Sequence, residues 1–457
     1  MRIVRRVLQG FVLVFVMLLT GVIAWLSLAP PELLRVGTGY AAKIVCSNVF
    51  LAKRDGAQVL AQDVQAPGHP LLRTVHVDVD RERGRVTARM LRVFAPATAV
   101  YREGLGCANV ADGGDLQTVL DAPPVALPPL PAAAHGLWPA GGDRIVNDPR
   151  LGALLSDPDL IGRGMRAVVI VKDGRLVGEA YGPAFDRDTP LLGWSMTKTV
   201  NAAILGRAVA EGRLDLEAQG LFPQWSDEPR AAITPADLMA MQSGLQFNED
   251  YGGVTDVTRM LYLEPDMAAF SGAMPSVADP GTVFNYSSGT SVMLARLWMN
   301  TFEDPAAALA YPRLALFAPL SMTSAVMETD QAGTFVASSY LYATAPDWAR
   351  FGQFLLQDGV WNGARLLPAG FVQSMQAPTQ ASGRSYTNGQ AWQVGPGNEP
   401  DERFGLPGDA YWALGHDGQS MAIVPSERLV VVRLGLTPYS VGYRPQPFVK
   451  AVIDALK

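Results

Sequence analysis

The feature that most restricts how this chain can fold is a long apolar run near its N-terminus. Arg2, Arg5 and Arg6 precede a stretch, residues 7–28, in which few residues are polar. About 20 apolar residues are enough for a helix to cross the hydrocarbon core of a bilayer, and flanking arginines stay in the cytoplasm. We therefore predict a membrane-anchoring helix within residues 1–30. The rest of the chain should then lie on the periplasmic side of a bacterial inner membrane.

A cleaved signal peptide is the alternative to an anchor. Ser27-Leu28-Ala29 has the small-x-small pattern of a cleavage site. Pro30 follows directly and should obstruct cleavage there, and signal peptides usually have a shorter apolar region. We favour the uncleaved anchor.

The two cysteines of the chain, Cys46 and Cys107, both follow the predicted anchor. In an exported chain an even number of cysteines favours a disulfide. Two buried free thiols are the alternative. Because the export prediction favours oxidation, we expect the two cysteines to pair.

Composition and pattern divide the remainder into two parts joined by a linker. In residues 31–121, alternating valines around residue 77 and a turn at Arg83-Gly84 predict a β-hairpin within a small first unit. Residues 122–136 are rich in proline and should be extended and semi-rigid. We place the start of a second domain, residues 137–457, after this linker.

The second domain mixes strand and helix patterns. Residues 172–174 form a turn between two apolar runs, and residues 421–435 contain two further runs around a turn. Between them, residues 195–210 carry apolar side chains at helical spacing, and Gly212 is placed to end that helix. The pattern predicts an α+β fold, with one antiparallel sheet formed from both ends of the domain, flanking helices and a helical subdomain.

Ser195 and Lys198 form a Ser-x-x-Lys motif at the start of the predicted helix. This spacing puts both side chains on one face, one turn apart. A serine hydroxyl needs a neighbouring base to act as a nucleophile, and a lysine can be that base when its surroundings lower its pKa. Chance is the alternative, but a chain with only six lysines should seldom contain this motif by chance.

Tyr286 lies in a second candidate segment, residues 280–289, where a Pro-Gly turn and a short extended piece precede a helix start. A phenol beside a lysine ammonium can ionise more easily and can relay protons. The alternative is a tyrosine packed in the core with its hydroxyl hydrogen-bonded.

A third candidate segment, residues 415–419, opens a predicted strand. Glycines on a strand often mark the close approach of a ligand. The amide of Gln419, just after Gly418, could join that of Ser195 to hold an oxyanion. A surface turn that carries His416 is the alternative.

Other chemistries are disfavoured by the sequence. The remaining histidines, His69, His76 and His135, fall in the first unit or the linker, which disfavours a Ser-His-Asp arrangement. No residues have zinc-ligand spacing and no glycine-rich phosphate loop follows a strand, so we expect no metal or organic cofactor. A net charge of −6 without clustered basic residues gives no sign of nucleic-acid binding.

Taken in order, the Ser-x-x-Lys, Tyr-x-Ser and His-x-Gly motifs resemble those of the serine β-lactamase and penicillin-binding protein superfamily. The similarity is to its branch of class C β-lactamases, esterases and 6-aminohexanoate-dimer hydrolases, and it covers residues 137–457. It implies a β-lactamase/transpeptidase-like fold. It also implies Ser195 as nucleophile, Lys198 as its activator and Tyr286 as acid/base, with the Ser195 and Gln419 amides as oxyanion hole.

The motifs depart from the β-lactamase pattern at two positions. Lactamases of this branch usually have Tyr-x-Asn and Lys-Thr-Gly, and the lysine helps to hold the substrate carboxylate. Ser288 and His416 stand there instead, and a mostly neutral histidine is a weaker carboxylate anchor. Together with the resemblance, these departures favour an esterase or linear-amide hydrolase over a β-lactamase or D-peptidase.

One further residue is a candidate for the substrate pocket. Residues 248–251 lie where the nylon-oligomer hydrolases carry acidic and tyrosine residues that contact substrate. This resemblance makes Tyr251 a candidate pocket residue.

A function of a different class is the alternative, namely a non-catalytic, membrane-anchored recognition module with the same fold. The complete set of Ser195, Lys198 and Tyr286 argues against it.

Overall fold

The computed structural model describes residues 2–111, 119, 127–131, 135–143, 145–226, 229–397 and 399–457. Much of the predicted linker, namely residues 122–126 and 132–134, lies outside the described residues. So do residues 112–118, 120 and 121 at the end of the predicted first unit. The predicted end of the first unit, residue 121, is therefore outside the described residues, whereas the predicted start of the second domain, residue 137, is among them.

Helix α1 (Arg2–Leu28) contains the apolar run. It is long and apolar enough to cross a membrane, and its apolar side chains are exposed. A signal sequence near the N-terminus can also be this long and apolar. The helix itself therefore agrees with both alternatives that the sequence leaves open.

A four-stranded antiparallel sheet forms the first unit. Its strands pair in chain order and are β1 (Val75–Asp80), β2 (Arg85–Met90), β3 (Phe94–Arg102) and β4 (Gly106–Val110). Helix α2 (Glu32–Phe50) packs across this sheet, and the short helix α3 (Gly56–Val59) follows it. Strands β1 and β2 are the predicted hairpin, with Val75 opposite Met90.

The two cysteines are joined in this unit. Cys46 in α2 and Cys107 in β4 form a disulfide across a separation of 61 residues, which is the pairing that the sequence predicts. Closing a loop of this length restricts the unfolded chain and is worth about 4 kcal/mol in the chain-entropy account. The bond therefore stabilises the packing of the helix on the sheet.

A buried ion pair connects the first unit to the rest of the molecule. Lys43 of α2 pairs with Glu328, and both side chains are almost completely buried. The Glu328 carboxylate also accepts hydrogen bonds from the Ser47 hydroxyl, at 2.8 Å, and from the Cys107 amide, at 2.6 Å. Because a buried charge needs such partners, these contacts fix α2 against the second region, residues 137–457.

The remaining strands and helices belong to the second region. The strands are β5 (Met165–Lys172), β6 (Arg175–Tyr181), β7 (Leu191–Leu192), β8 (Val326–Met327), β9 (Leu341–Ala343), β10 (Val360–Trp361), β11 (Ala364–Arg365), β12 (Tyr411–Gly415), β13 (Gln419–Val424) and β14 (Leu429–Gly435). The helices are α4 (Gly152–Leu155), α5 (Pro158–Ile161), α6 (Met196–Ala210), α7 (Pro235–Met239), α8 (Asp256–Leu263), α9 (Met267–Gly272), α10 (Ser288–Met299), α11 (Pro305–Pro312), α12 (Ala345–Leu356), α13 (Phe371–Gln376) and α14 (Gln446–Leu456).

The main sheet of this region is antiparallel and has the strand order β12-β13-β14-β5-β6. Strands from the C-terminal end therefore lie beside the hairpin from the N-terminal end, as the sequence predicts. β5 is buried on both faces: Val169 and Val171 pack with α6 and α12, whereas Val168 and Ile170 pack with α14. This two-sided burial explains its continuous apolar run.

The helices between β6 and β12 form the helical part of the fold. Two small antiparallel sheets, β7-β9-β8 and β10-β11, also lie in this part of the chain. The architecture is the predicted α+β arrangement of one antiparallel sheet with flanking helices and a helical part. It brings the N-terminus of α6 and the N-terminus of α10 to the same side of the sheet, where Lys198 of α6 and Ser288 of α10 are in contact.

Candidate active site

Ser195 and Lys198 meet at the N-terminus of α6. Ser195 is the residue that caps the helix, and Lys198 lies in its first turn. The Lys198 Nζ is 2.9 Å from the Ser195 Oγ. It also donates to the Ser288 Oγ, at 3.0 Å, and to the Ser338 carbonyl, at 3.2 Å. The ammonium group is thus buried and has a defined partner on three sides.

The backbone before Ser195 is held in an unusual conformation. Trp194 has a φ of +48°, a region that costs a bulky residue free energy and that recurs at functional sites. Gly193 packs so tightly that a Cβ there would lie 2.2 Å from the Trp348 ring. Only glycine fits this position, and the sharp turn that follows directs Ser195 towards Lys198.

Burial controls the charge of Lys198. Desolvation lowers its pKa from 10.5 to about 8, and the nearby charge of Glu249 partly opposes this. A lysine with a pKa in this range can act as a general base near neutral pH. The surroundings that the Ser-x-x-Lys motif requires are therefore present.

Tyr286 lies on the loop before α10, with its ring centroid 4.7 Å from the Lys198 Nζ. It packs against the Tyr386 and Trp392 rings, with centroids 5.6 and 5.2 Å away. Burial, followed by the charge of Glu249, raises the pKa of Tyr286, and a hydrogen bond with Ser195 only partly offsets this. This direction is opposite to the easier ionisation expected from sequence, because desolvation is the largest influence on the phenol. Tyr286 is a neutral phenol that can donate a proton.

Glu249 is a functional candidate that the sequence reasoning did not select. Its carboxylate accepts hydrogen bonds from the Ser288 amide, at 2.7 Å, and from the Ser288 hydroxyl, at 2.5 Å. One of its oxygens is 3.9 Å from the Lys198 Nζ. Burial raises the pKa of Glu249, whereas Lys198 and Ser288 oppose that rise. The carboxylate also lies at the N-terminus of α10, where a negative charge is favoured.

The signal that could have identified Glu249 was its place in residues 248–251, the segment from which only Tyr251 was selected. Sequence alone gives no reason to prefer Glu249 to Asp250, its acidic neighbour. The structure separates them: the Glu249 carboxylate faces Lys198, whereas Asp250 is exposed and its carboxylate accepts from the nearby Gly252 amide.

Three aromatic side chains stack beside this cluster. The His416 ring lies on the Tyr251 ring with centroids 4.7 Å apart, and it meets the edge of Trp194 at 5.5 Å. Tyr251 also contacts the edge of Trp194 at 6.3 Å. The structure therefore brings His416 and Tyr251, both predicted from sequence, to the residue that precedes Ser195.

The predicted oxyanion segment forms the turn between β12 and β13. Gly418 has a φ of +82°, and Gln419 is the first residue of β13, opposite Gly415 in the strand pairing. A Cβ on Gly415 would lie 2.2 Å from the Gly193 carbonyl, so this strand end lies against the segment that carries Ser195. The Gln419 side chain donates to the Gly435 carbonyl and accepts from the Gly435 amide, both in β14. Its side chain is therefore occupied, so a role for Gln419 in holding an oxyanion would fall to its backbone amide.

A cavity of about 610 Å³ adjoins this cluster and lies between the two parts of the chain. We call it the interunit cavity. Trp194, Glu249, Tyr251 and His416 line it on one side. The first unit supplies the other side, including Leu33 and several further apolar residues.

Comparison with known proteins is consistent with this geometry. Residues 159–448 match the Beta-lactamase family. The chain is 25% identical over 302 residues to the 6-aminohexanoate-dimer hydrolase of Paenarthrobacter ureafaciens, which covers 60% of this chain and 72% of that protein.

Two solved structures share the fold. One is a Bacillus anthracis protein provisionally named a 6-aminohexanoate-dimer hydrolase, with a TM-score of 0.53 and 24% identity; the match covers 64% of this chain and 80% of that one. The other is a family VIII carboxylesterase, with a TM-score of 0.52 and 14% identity, covering 68% of this chain and 98% of that one.

Proposed function

Because the chain belongs to the β-lactamase family of serine hydrolases, we propose that it cleaves an ester or linear amide bond through an acyl-enzyme on Ser195. The observation that carries this proposal is the contact between Lys198 and Ser195. The Lys198 Nζ lies 2.9 Å from the Ser195 Oγ, and burial lowers the lysine pKa to about 8. A nucleophile within hydrogen-bonding distance of a tuned base is what nucleophilic catalysis requires.

The first half-reaction forms the acyl-enzyme. Neutral Lys198 takes the proton from the Ser195 hydroxyl as the oxygen attacks the substrate carbonyl. The amides of Ser195 and Gln419 hold the negative charge of the tetrahedral intermediate. Tyr286, which burial keeps neutral, gives its proton to the leaving group as the ester or amide bond breaks, and it regains a proton from Lys198.

The second half-reaction releases the acyl group. Water attacks the acyl carbonyl while neutral Lys198 takes one of its protons. Lys198 then returns this proton to the Ser195 oxygen as the acyl bond breaks, which releases the acid and restores the serine hydroxyl. Every step uses side chains that are in contact with Ser195 in the resting enzyme. No metal or organic cofactor enters this scheme.

Esters and linear amides are proposed as substrates in preference to β-lactams because two residues, Ser288 and His416, differ from those usual in β-lactamases. Ser288 binds Glu249 and Lys198 in place of the usual asparagine. His416 stacks on Tyr251 where a lysine would hold a substrate carboxylate. The names of the relatives, a 6-aminohexanoate-dimer hydrolase and a carboxylesterase, agree with this choice.

Active-site labelling and paired substitutions test the proposal. A fluorophosphonate should give one adduct by intact-mass spectrometry, located on the peptide that carries Ser195. Lys198→Ala should lose on the order of 10²–10⁴ in rate, the range for a positioned acid or base. Groups that act as a unit show non-additive losses, so Ser195→Ala and the Ser195→Ala/Lys198→Ala double variant should be almost equally inactive.

Ser47→Ala is a matched control, because Ser47 is also a buried serine that contacts a lysine, Lys43. It should keep both the activity and the label. Full activity in Ser195→Ala, or an adduct on another peptide, would refute the assignment. The non-catalytic recognition module would then be the better account of the fold.

A further inference from the structure

The interunit cavity reaches the catalytic cluster at one end. Glu249 lines the cavity and is also 3.9 Å from the Lys198 Nζ. Trp194, which precedes the nucleophile, lines it as well. A substrate whose carbonyl lies at Ser195 can therefore extend a substituent into this space.

The wall that the first unit contributes is mostly apolar. It includes Leu33, Val36, Leu71, Leu72 and Met90, of which Val36, Leu72 and Met90 are buried. The volume of about 610 Å³ is within the range of about 300–1,000 Å³ that holds small ligands. Burial of hydrocarbon against such a wall is favourable, so the chemistry of the wall selects an alkyl chain.

The same wall lies close to the end of the proposed anchor. Leu33 is five residues from Leu28, the last residue of α1, and five residues span at most about 18 Å. Leu71, at the cavity, is 38% exposed. Leu91 and Val93 are 57% and 64% exposed and directly precede β3, the strand that α1 contacts.

Thr74 brings these exposed residues together, because its hydroxyl donates to the Leu71 carbonyl and its carbonyl accepts from the Leu91 amide. We call Leu71, Leu91 and Val93 the rim. Scattered exposed leucines need no explanation, but a cluster beside a membrane helix marks a surface that meets lipid. Leu71 thus belongs both to this rim and to the wall of the cavity, and the cavity meets the catalytic cluster at Trp194 and Glu249.

We propose that the interunit cavity binds the acyl chain of a membrane-resident amphiphile, and that the ester or amide at the head of this chain is the bond presented to Ser195. The inference rests on the proposed function and on α1 remaining as an anchor. It assigns to the first unit the role of forming the acyl-binding wall. The substrate class is a medium- or long-chain acyl ester or amide taken from the bilayer surface.

Chain-length preference of the full-length protein in lipid nanodiscs tests the proposal. p-Nitrophenyl laurate should have a much higher kcat/KM than p-nitrophenyl acetate, because each buried methylene contributes up to about fourfold. Leu71→Trp fills the cavity entrance and should lower the laurate-to-acetate ratio of kcat/KM at least tenfold. Leu314→Trp, the same change at a residue that is 58% exposed and outside the cavity lining, should keep the wild-type ratio.

A binding experiment separates this proposal from the catalytic one. Ser195→Ala protein in nanodiscs is irradiated with a twelve-carbon fatty acid that carries a diazirine in its tail. Mass spectrometry should locate the cross-links on residues 33–40 or 67–72, and Leu71→Trp should reduce them.

The results of these two experiments distinguish a failure of the acyl-chain proposal from a failure of the proposed function. If Ser195 is acylated but laurate has no advantage over acetate, or if the cross-links fall elsewhere, the acyl-chain proposal is overturned and the proposed function stands. If no ester acylates Ser195 while the cross-links map to the cavity wall, the acyl-binding site stands and the proposed function is overturned.

Discussion

At the scale of single residues, the charge of Lys198 is governed by two opposing influences. Burial lowers its pKa to about 8, and the carboxylate of Glu249 raises it. A lysine that acts as a base works in its neutral form, so kcat/KM should rise with pH through this pKa. The pH at which kcat/KM rises therefore reports the balance between burial, which lowers the Lys198 pKa, and the Glu249 charge, which raises it.

Glu249→Gln should move the rising limb of the kcat/KM profile to lower pH. The substitution keeps the size of the side chain and removes the negative charge that raises the lysine pKa. Burial raises the pKa of Tyr286, so Tyr286 should stay protonated over the measured range and the prediction concerns the rising limb. The measurement is a kcat/KM profile from about pH 5 to 11 with a neutral ester.

Asp250→Asn is the matched control for this profile, because it removes one negative charge at the adjacent, exposed position. The rising limb of the Asp250→Asn profile should stay where it is in the wild type. A rising limb of Glu249→Gln that does not move, or that moves to higher pH, would contradict the role assigned to Glu249.

Substrate choice is also argued at the residue scale. His416 stands where a lysine would pair with the carboxylate of a β-lactam, so the wild type should hydrolyse short-chain esters or linear amides much faster than nitrocefin. His416→Lys should narrow this difference by about tenfold or more, because a hydrogen bond to a charged group is worth about 1.5–3 kcal/mol. The measurement is kcat/KM for both substrates in both variants.

The control for this substitution is His69→Lys, which adds the same cation on the opposite wall of the interunit cavity. It should leave the ratio of ester to nitrocefin turnover near that of the wild type. A wild-type enzyme that prefers nitrocefin would contradict the assignment of His416.

At the scale of elements, α2 is held to the second region by the buried pair of Lys43 and Glu328. Lys43→Met should lower the free energy of unfolding by about 3–5 kcal/mol, because it leaves a buried carboxylate without its counter-ion. The Lys43→Met/Glu328→Gln double variant should lose less than the sum of the two single losses. Urea unfolding at neutral pH measures all three variants.

Lys450→Met tests whether the effect depends on burial. Lys450 pairs with Asp454 on the exposed face of α14, with side-chain exposures of 33% and 53%, and such pairs are worth about 0–1 kcal/mol. Equal losses for Lys43→Met and Lys450→Met, or strictly additive losses in the double variant, would show that the pair does not join the two parts.

At the scale of the whole molecule, α1 should keep the enzyme at the inner membrane. We expect the apolar run to span the bilayer and Pro30 to obstruct the best cleavage site, so the full-length chain should remain in the membrane pellet after a high-salt wash. Detergent should release it, because the attachment is hydrophobic. Fractionation of cells followed by N-terminal sequencing measures this. A soluble mature form that starts near Pro30 would contradict the anchor and favour the signal peptide.

The sequence by itself determined the features that depend on neighbouring residues. Hairpins such as β5-β6, the helix that begins after Ser195 and the apolar run of α1 all follow from periodicity and turn residues, and the order of three motifs indicates the family. The cysteine count and the export prediction also favoured the pairing of Cys46 with Cys107. Local patterns are sufficient for these features because turns and helix starts are set by a few consecutive residues.

Only the tertiary structure decided how distant segments act on one another. Glu249 becomes a partner of Lys198 because α10 and the segment before α8 meet, and no local pattern distinguishes it from Asp250. The direction of the Tyr286 pKa depends on burial by Tyr386 and Trp392, which are about 100 residues away along the chain. The interunit cavity exists because α2 packs against the second region. Desolvation and shape are properties of the packed molecule, and residues far apart in sequence determine them.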